Sequence, residues 1–287
     1  MLLRVRRHFK KGTPAPRPMR FRGNDRVLVL AAHPDDETIG CAGTILAHLE
    51  AGDQVSIFMV TDGSGSRAGG LTPTEMAARR HEEVQRVARI FRGARITELA
   101  LAENAWDDGQ LAGPLKSHLA QSIPGIIYAP SCVDFHPEHI KVARVLAHVL
   151  AEGYSGQVPL IRVYEMQVPL GVELVNLVSG LAHSYRSKVR AIAVYATQRG
   201  ALNLWRRQAR YVGLLYGLPG GGEAFWEITP AAYVAVNDQA GWGWQDTPFR
   251  SLSGRPFGDY LAHVRGAKTR VALRETSEMG HAPLQLE

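Results

Sequence analysis

Short apolar runs alternate with longer amphipathic stretches along most of this chain. Val27–Ala31, Val55–Val60, Ile96–Ala102, Ile126–Ala129 and Leu160–Met166 are runs rich in β-branched residues and Leu. Continuous runs of this kind are the pattern of strands buried on both faces of a parallel sheet. Between them lie stretches with helical spacing: Thr38 to Ala51, Pro73 to about Phe91, Leu111 to Ser122 and Ile140 to Ala151. Thr72-Pro73-Thr74-Glu75 opens the second of these with a capping box and Pro at the first helical position. From Val172 to Tyr216 the pattern is mainly helical. Strands alternating with helices predict an α/β fold, a Rossmann-like parallel sheet flanked by helices. The expected organisation is a basic, Pro-rich arm over 1–24, one domain over 25–235, and a C-terminal extension over 236–287. In the extension Trp242, Trp244, Phe249, Phe257 and Tyr260 are candidates to cap a cleft, make a subunit contact or simply pack the tail.

Two of the strand-to-helix junctions carry the chemistry. Ala32-His33-Pro34-Asp35-Asp36-Glu37 follows the first strand, and Asp134-Phe135-His136-Pro137-Glu138-His139 follows Ile126–Ala129. The ends of core strands are where a parallel α/β sheet gathers its ligands. Carboxylates placed there resist ionisation unless a cation or a catalytic task justifies them. Taken alone, the first turn reads equally well as an acidic N-cap supporting the helix dipole. The repetition of His-Pro-acid after two core strands favours chemistry. Together the turns offer His33, Asp36 and His139 as three N/O ligands, the number a catalytic zinc uses while keeping one position open.

Composition narrows the class. With 287 residues, 45% of them apolar, the chain can bury one good-sized core. The net charge of +6 suits nucleic acid, an anionic membrane face or acidic substrates without choosing among them. No RNA-binding aromatic motif or zinc-finger spacing points to nucleic acid. Two cysteines, Cys41 and Cys132, provide no disulfide framework. Cys132 adjoins the second turn, and packing is the simpler role for both. No apolar run is long enough to span a bilayer, and the N-terminus lacks the apolar centre of a signal peptide, so a cytoplasmic location is expected. The basic arm reads as a solvated tail, with weak contact to an anionic membrane surface as the alternative. Pro14, Pro16 and Pro18 read as a stiff linker.

At its two turns the chain resembles the PIG-L/LmbE-like family of zinc-dependent N-acetylglucosaminyl deacetylases. The family's A-H-P-D-D-E is present unchanged as Ala32 to Glu37, and its H-P-D-H appears as His136 to His139 with Glu138 in place of Asp. The likeness runs from about Arg26 to Glu227. It includes a Thr-Asp-Gly turn at Thr61–Gly63, an R-x-x-E pair at Arg80 and Glu83, and a K-x-x-A-I-x-x-Y-x-S-Q segment. In that segment Lys188, Tyr195 and Gln198 match and Thr197 replaces Ser; Glu223-Ala224-Phe225 follows the family's A-E-A-F.

The resemblance implies a single catalytic domain with a C-terminal extension. It also implies a hydrolase that removes acetyl from an N-acetylated amino sugar in a glycan, glycolipid or glycosylated metabolite. Zn2+ is the expected cofactor, with Fe2+ or another divalent ion as the family's alternative. Asp35 is expected to act as general base and then acid, since binding the same ion as Asp36 would crowd the open position. His136, as imidazolium, is expected to stabilise the oxyanion. Glu37 is a candidate to orient His33 or cap its helix, and Asp134 to fix the His136 tautomer and raise its pKa. Arg67 is a candidate for sugar hydroxyls, against a solvated loop Arg. Arg80 and Glu83 are candidates to support the site, against an ordinary surface pair. Two other classes compete: a Rossmann-like nucleotide-dependent enzyme using the Gly63 loop, and a non-catalytic basic binding protein. The sequence is silent on the oligomeric state.

Overall fold

A computed structural model describes residues 14–153, 158–240, 247–252, 264 and 266–279. The elements, in chain order, are β1 (Arg17–Pro18), β2 (Arg26–Ala31), α1 (Asp36–Ala51), β3 (Gln54–Thr61), α2 (Pro73–Ala88), β4 (Arg95–Leu101) and α3 (Asp108–Ser122). They continue as β5 (Ile126–Ala129), α4 (Pro137–Ala151), β6 (Leu160–Tyr164), α5 (Gly171–Leu174), β7 (Leu177–Gly180) and α6 (Tyr185–Val194). The last are α7 (Arg199–Tyr216), β8 (Gly222–Ile228), α8 (Pro230–Ala240) and α9 (Ala267–Met279).

The described strands form one eight-stranded sheet in the order β1-β7-β8-β6-β5-β2-β3-β4. β2 lies inside it, parallel to β3 on one side and β5 on the other. Successive β2 residues serve opposite faces, as the period of two requires. Leu28 and Leu30 pack with Leu111, Leu115, Val142 and Leu146 of α3 and α4. Val27, Val29 and Ala31 pack with Cys41 and Ile45 of α1 and Val84 and Val87 of α2. Burial on both faces is why the strand reads as an unbroken apolar run.

The chain winds outward from β2 through β3 to β4, then returns to β5 on the other side of β2. The strand order therefore reverses between β2 and β5, which opens the crevice where open α/β sheets bind ligands. The two His-Pro turns follow these two strands.

Four expectations change. The sheet is mixed, because β8 runs antiparallel to both β6 and β7. β7 lies within the segment expected to be helical; at four residues its apolar signal is too short to outweigh its surroundings. The prolines before the domain do not form only a linker: Arg17–Pro18 pairs parallel with β7 as an edge strand. Arg17 and Met19 donate their N–H groups to Asn176 and Val178. Pro18 lies between them, where an edge strand tolerates a missing donor. Finally, α8 runs straight through the boundary expected at 235. The extension also reaches the second turn: Thr247 Oγ1 donates to the Asp134 carbonyl at 3.0 Å and Asn237 Oδ1 accepts from Cys132 N at 3.0 Å. α9 packs on α5 and α8. Phe249 is fully buried, whereas Trp242, Trp244, Phe257 and Tyr260 lie outside the described residues.

Candidate active site

The first turn is set by an unusual backbone. Asp35 is the residue before α1 and has φ 123°, a conformation L-residues rarely adopt. It is held there by Glu37, whose Oε2 accepts the Asp35 N–H at 3.1 Å, and by Thr38, whose N and Oγ1 both donate to the Asp35 carbonyl. Glu37 Oε1 in turn accepts from Tyr195 Oη at 2.8 Å. Glu37 thus fixes the Asp35 backbone rather than the His33 ring. Burial pushes the Glu37 carboxyl up to about 8, against the Tyr195 hydrogen bond.

His33, Asp36 and His139 come together. His33 Nδ1 lies 3.2 Å from His139 Nε2. The Asp36 carboxylate lies 3.6 Å from His33 Nδ1 and 3.4 Å from His139 Nε2. Ligands about 2.0–2.1 Å from a tetrahedral ion lie about 3.3 Å from one another, so these atoms have the spacing of a shared coordination sphere. The tautomers agree. His139 Nδ1 is 2.9 Å from Asp134 Oδ2, which aims the Nε2 lone pair at His33 Nδ1 and the Asp36 carboxylate. All three groups are buried.

The electrostatics also favour a cation here. Burial opposes charge on His33, but the Asp36 and Glu103 carboxylates outweigh it and push its pKa up to about 9. Burial likewise opposes charge on His139, and Asp36 and Asp134 hold its pKa well above the ordinary value. Two protons cannot occupy the 3.2 Å gap between the facing nitrogens. A single divalent ion held between them would satisfy both lone pairs and the carboxylate at once.

His136 differs from its sequence expectation. It is the N-cap of α4, and its Nδ1 accepts the Glu138 N–H at 3.3 Å. Burial, with His139 and His33 nearby, lowers its pKa to about 3. The ring is therefore neutral, with its proton on Nε2. Asp134 does not touch that ring: Oδ2 serves His139, and Oδ1 accepts the backbone N–H groups of Phe135 and His136 at 2.7 and 2.8 Å. One nitrogen from each of His33, His136 and His139 can be chosen so that all three lie within 4.8 Å of one another. The imidazoles thus line one basin.

Asp35 Oδ1 receives Arg80 Nη2 at 3.3 Å. Burial raises the Asp35 carboxyl to about 6, with Arg80 opposing the rise. Arg80 and Glu83 are both buried and so are not a surface pair. Glu83 grips Thr197 instead, accepting from its N at 3.1 Å and its Oγ1 at 2.7 Å. That contact closes the 3₁₀ turn Ala196–Gln198 onto α2. Gly63 gives Arg80 its path: a Cβ there would meet Arg80 Nε at 2.6 Å. Arg67 is exposed, and among the described residues no contact joins it to the basin. Cys132 packs, its thiol near the Val236 carbonyl at 3.7 Å and pushed up to about 12 by burial.

Sequence reasoning missed Glu103. It lies at the start of the loop after β4, and Oε1 lies 3.5 Å from His33 Nε2. Nothing in Ala102-Glu103-Asn104 marks it, because the approach depends on the packing of β4 beside β3. Glu138, the departure from the H-P-D-H pattern, does not touch either imidazole nitrogen facing the basin. It accepts Asn104 N at 2.9 Å and Trp106 Nε1 at 2.6 Å.

Residues 28–150 match the family model described as PIG-L, GlcNAc-PI de-N-acetylase. A diacetylchitobiose deacetylase of Thermococcus kodakarensis is 32% identical over 131 residues, 42% of this chain and 46% of that protein. The match thus spans about half the length of that curated relative. The structure of an N,N'-diacetylchitobiose deacetylase from Pyrococcus horikoshii with its inhibitor MPG is similar at TM-score 0.61 and 24% identity, over 72% of this chain and 85% of that one. The 4-carboxy-2-hydroxymuconate hydratase of Pseudomonas putida is similar at TM-score 0.60 and 20% identity, over 70% and 93%. These likenesses show the fold, and a hydratase among them means that the fold by itself does not select the reaction. The matched segment holds both His-Pro turns, so the similarity to the PIG-L family falls on the residues that line the basin.

Proposed function

We propose that this protein is a zinc-dependent hydrolase that removes the acetyl group from an N-acetylated amino sugar of the GlcNAc type. The sugar would be carried in a glycan, a glycolipid or a glycosylated metabolite. The observation that carries the reading is the mutual spacing of 3.2, 3.4 and 3.6 Å among His33 Nδ1, His139 Nε2 and the Asp36 carboxylate. The relatives named as deacetylases support the substrate class.

An acetamide is a poor electrophile with a poor leaving group. A divalent ion held by His33, Asp36 and His139 would polarise the carbonyl and make water a stronger acid. Asp35 takes the proton of the attacking water. A carboxyl near 6 is largely ionised at neutral pH, yet basic enough to accept that proton and pass it to the departing amine. Arg80 keeps the ionised form available inside a buried site. His136 offers the neutral Nε2–H as a donor to the oxyanion. Neutrality suits this role, because the proton stays on the ring throughout. The Asp35 backbone, locked by Glu37 and Thr38, keeps its side chain from wandering toward the ligand set.

The test is acetate release from N,N'-diacetylchitobiose and other GlcNAc conjugates, before and after chelation, with Zn2+ restored. Release that disappears on chelation, returns with Zn2+ and is lost in Asp35→Asn supports the reading. Release that survives both metal removal and Asp35→Asn overturns it. Acetate is the product to follow, since a hydratase shares this fold.

A further inference from the structure

We infer that Glu103 is a positioning residue for His33, the outer carboxylate that orients this imidazole as Asp134 orients His139. The inference rests on the proposed ligand set. Each imidazole turns one nitrogen to the basin and the other outward. His139 Nδ1 has Asp134 at 2.9 Å. His33 Nε2 is buried without a hydrogen-bond partner, and the Glu103 carboxylate stands 3.5 Å from it. A ligand imidazole whose far N–H meets a carboxylate has its tautomer and ring plane set and its basicity raised.

Three independent devices deliver Glu103 to this place. Gly65 makes room: a Cβ there would lie 2.6 Å from the Glu103 carboxylate, and its N–H donates to Glu103 Oε2 at 2.9 Å. Asp62 Oδ1 accepts the Glu103 N–H at 3.2 Å. On the far side Glu138, set between the two histidines of the second turn, clamps Asn104 N and Trp106 Nε1. Asn104 turns the chain with φ 65°. Lys141, one helical turn onward from Pro137, covers the Trp106 ring at 3.7 Å and donates to its carbonyl. The second His-Pro turn therefore builds the loop that supports the first. On this view Glu138 acts through Glu103, and both act through His33.

The readout is Zn2+ affinity of the full chain by competition with a chromophoric chelator. Wild type is compared with Glu103→Ala, Glu103→Gln and Gly65→Ala. Glu103→Ala is expected to weaken binding by about 10–100-fold, the range seen when an outer partner of a metal-bound His is removed. Glu103→Gln keeps one carbonyl oxygen, which can face Nε2–H or accept from Gly65 N–H but not both, so it should recover part of that loss. Gly65→Ala leaves the charge in the chain and pushes it away from His33, so it should weaken Zn2+ as well. Gly65 does not have a positive φ, so Ala is compatible with its backbone. Nitrogen chemical shifts of His33 in the Zn2+-loaded protein should report a proton on Nε2 that responds to Glu103→Gln. Wild-type affinity in both Glu103→Ala and Gly65→Ala overturns the inference and leaves the deacetylase reading intact. A wild-type chain that binds no Zn2+ overturns both.

Discussion

The Asp134 carboxylate joins two parts of the second turn: Oδ2 sits 2.9 Å from His139 Nδ1 while Oδ1 accepts the N–H of His136 at 2.8 Å. One side chain thus orients the His139 ring, a proposed metal ligand, and fixes the backbone that opens α4. Asp134→Ala should lower Zn2+ affinity about 10–100-fold, with acetate release falling in step at limiting metal and partly restored by excess Zn2+. Chelator competition and activity titrated against Zn2+ check this. Activity that falls while affinity stays at the wild-type level would place the role of Asp134 elsewhere.

Asp35 and Arg80 make a prediction about protons. Asp35→Asn should lower kcat by about 10²–10⁴-fold, the usual contribution of a positioned acid–base, with Zn2+ affinity retained. Arg80 stabilises the ionised carboxylate, so Arg80→Ala should move the acidic limb of the kcat/KM profile to higher pH. The base works above its pKa, and the loss of a cation raises that pKa. A limb that stays in place in Arg80→Ala would mean that another group titrates there.

Glu165 lies away from the basin and couples stability to pH. Its Oε1 accepts Leu170 N at 3.0 Å and its Oε2 accepts Gln208 Nε2 at 2.6 Å. Burial nevertheless raises its pKa from 4.5 to about 7. The folded state therefore holds a proton that the unfolded chain has released. This contribution is fully present below about pH 4.5 and is lost as pH rises through about 7, on the order of 3 kcal/mol. Urea unfolding of wild type and Glu165→Gln between pH 4.5 and 8 tests the sign: the difference in stability should shift in favour of Gln as pH rises.

The buried pair Lys188–Glu223, 2.5 Å apart, grips the middle of α1. Lys188 Nζ donates to the Ile39 carbonyl at 2.7 Å, and Glu223 accepts the N–H groups of Gly43 and Thr44 at 2.9 and 2.8 Å. Lys188→Met would leave a buried carboxylate without its cation and should cost about 3–5 kcal/mol. Adding Glu223→Gln to Lys188→Met should return part of that. Chemical denaturation of the single and double variants measures the coupling, and simple additivity of the two changes would contradict it. Gly43 belongs to the same contact: a Cβ there would run into Leu181 Cδ2 at 2.1 Å, so Gly43→Ala should destabilise too.

Much of this could be read along the chain. Burial on both faces writes itself as unbroken apolar runs, so β2, β3 and β5 and the helices after them were legible. The two motifs stand immediately beyond β2 and β5, because local sequence controls how a strand ends and a helix begins. His33, Asp36 and His139 could be named as ligand candidates for the same reason. β7 and the reversed β8 were not legible, since four apolar residues and a change of strand direction leave little local trace. The partners of polar groups were the least readable. Asp134 was expected to fix the His136 ring and meets His139 instead, because a carboxylate reaches several neighbours and only packing chooses.

The order of residues by itself determined the alternating fold, the two His-Pro turns and the types of atom offered to an ion. The tertiary structure decided which atoms meet: β5 returns to the side of β2 opposite β3, bringing His139 to 3.2 Å from His33, and a loop from β4 carries Glu103 to the far face of that ring. The physical reason is range. Propensity and periodicity act over a few residues, whereas hydrogen bonds and charge act through space between groups such as His33 and His139, 106 residues apart in the chain.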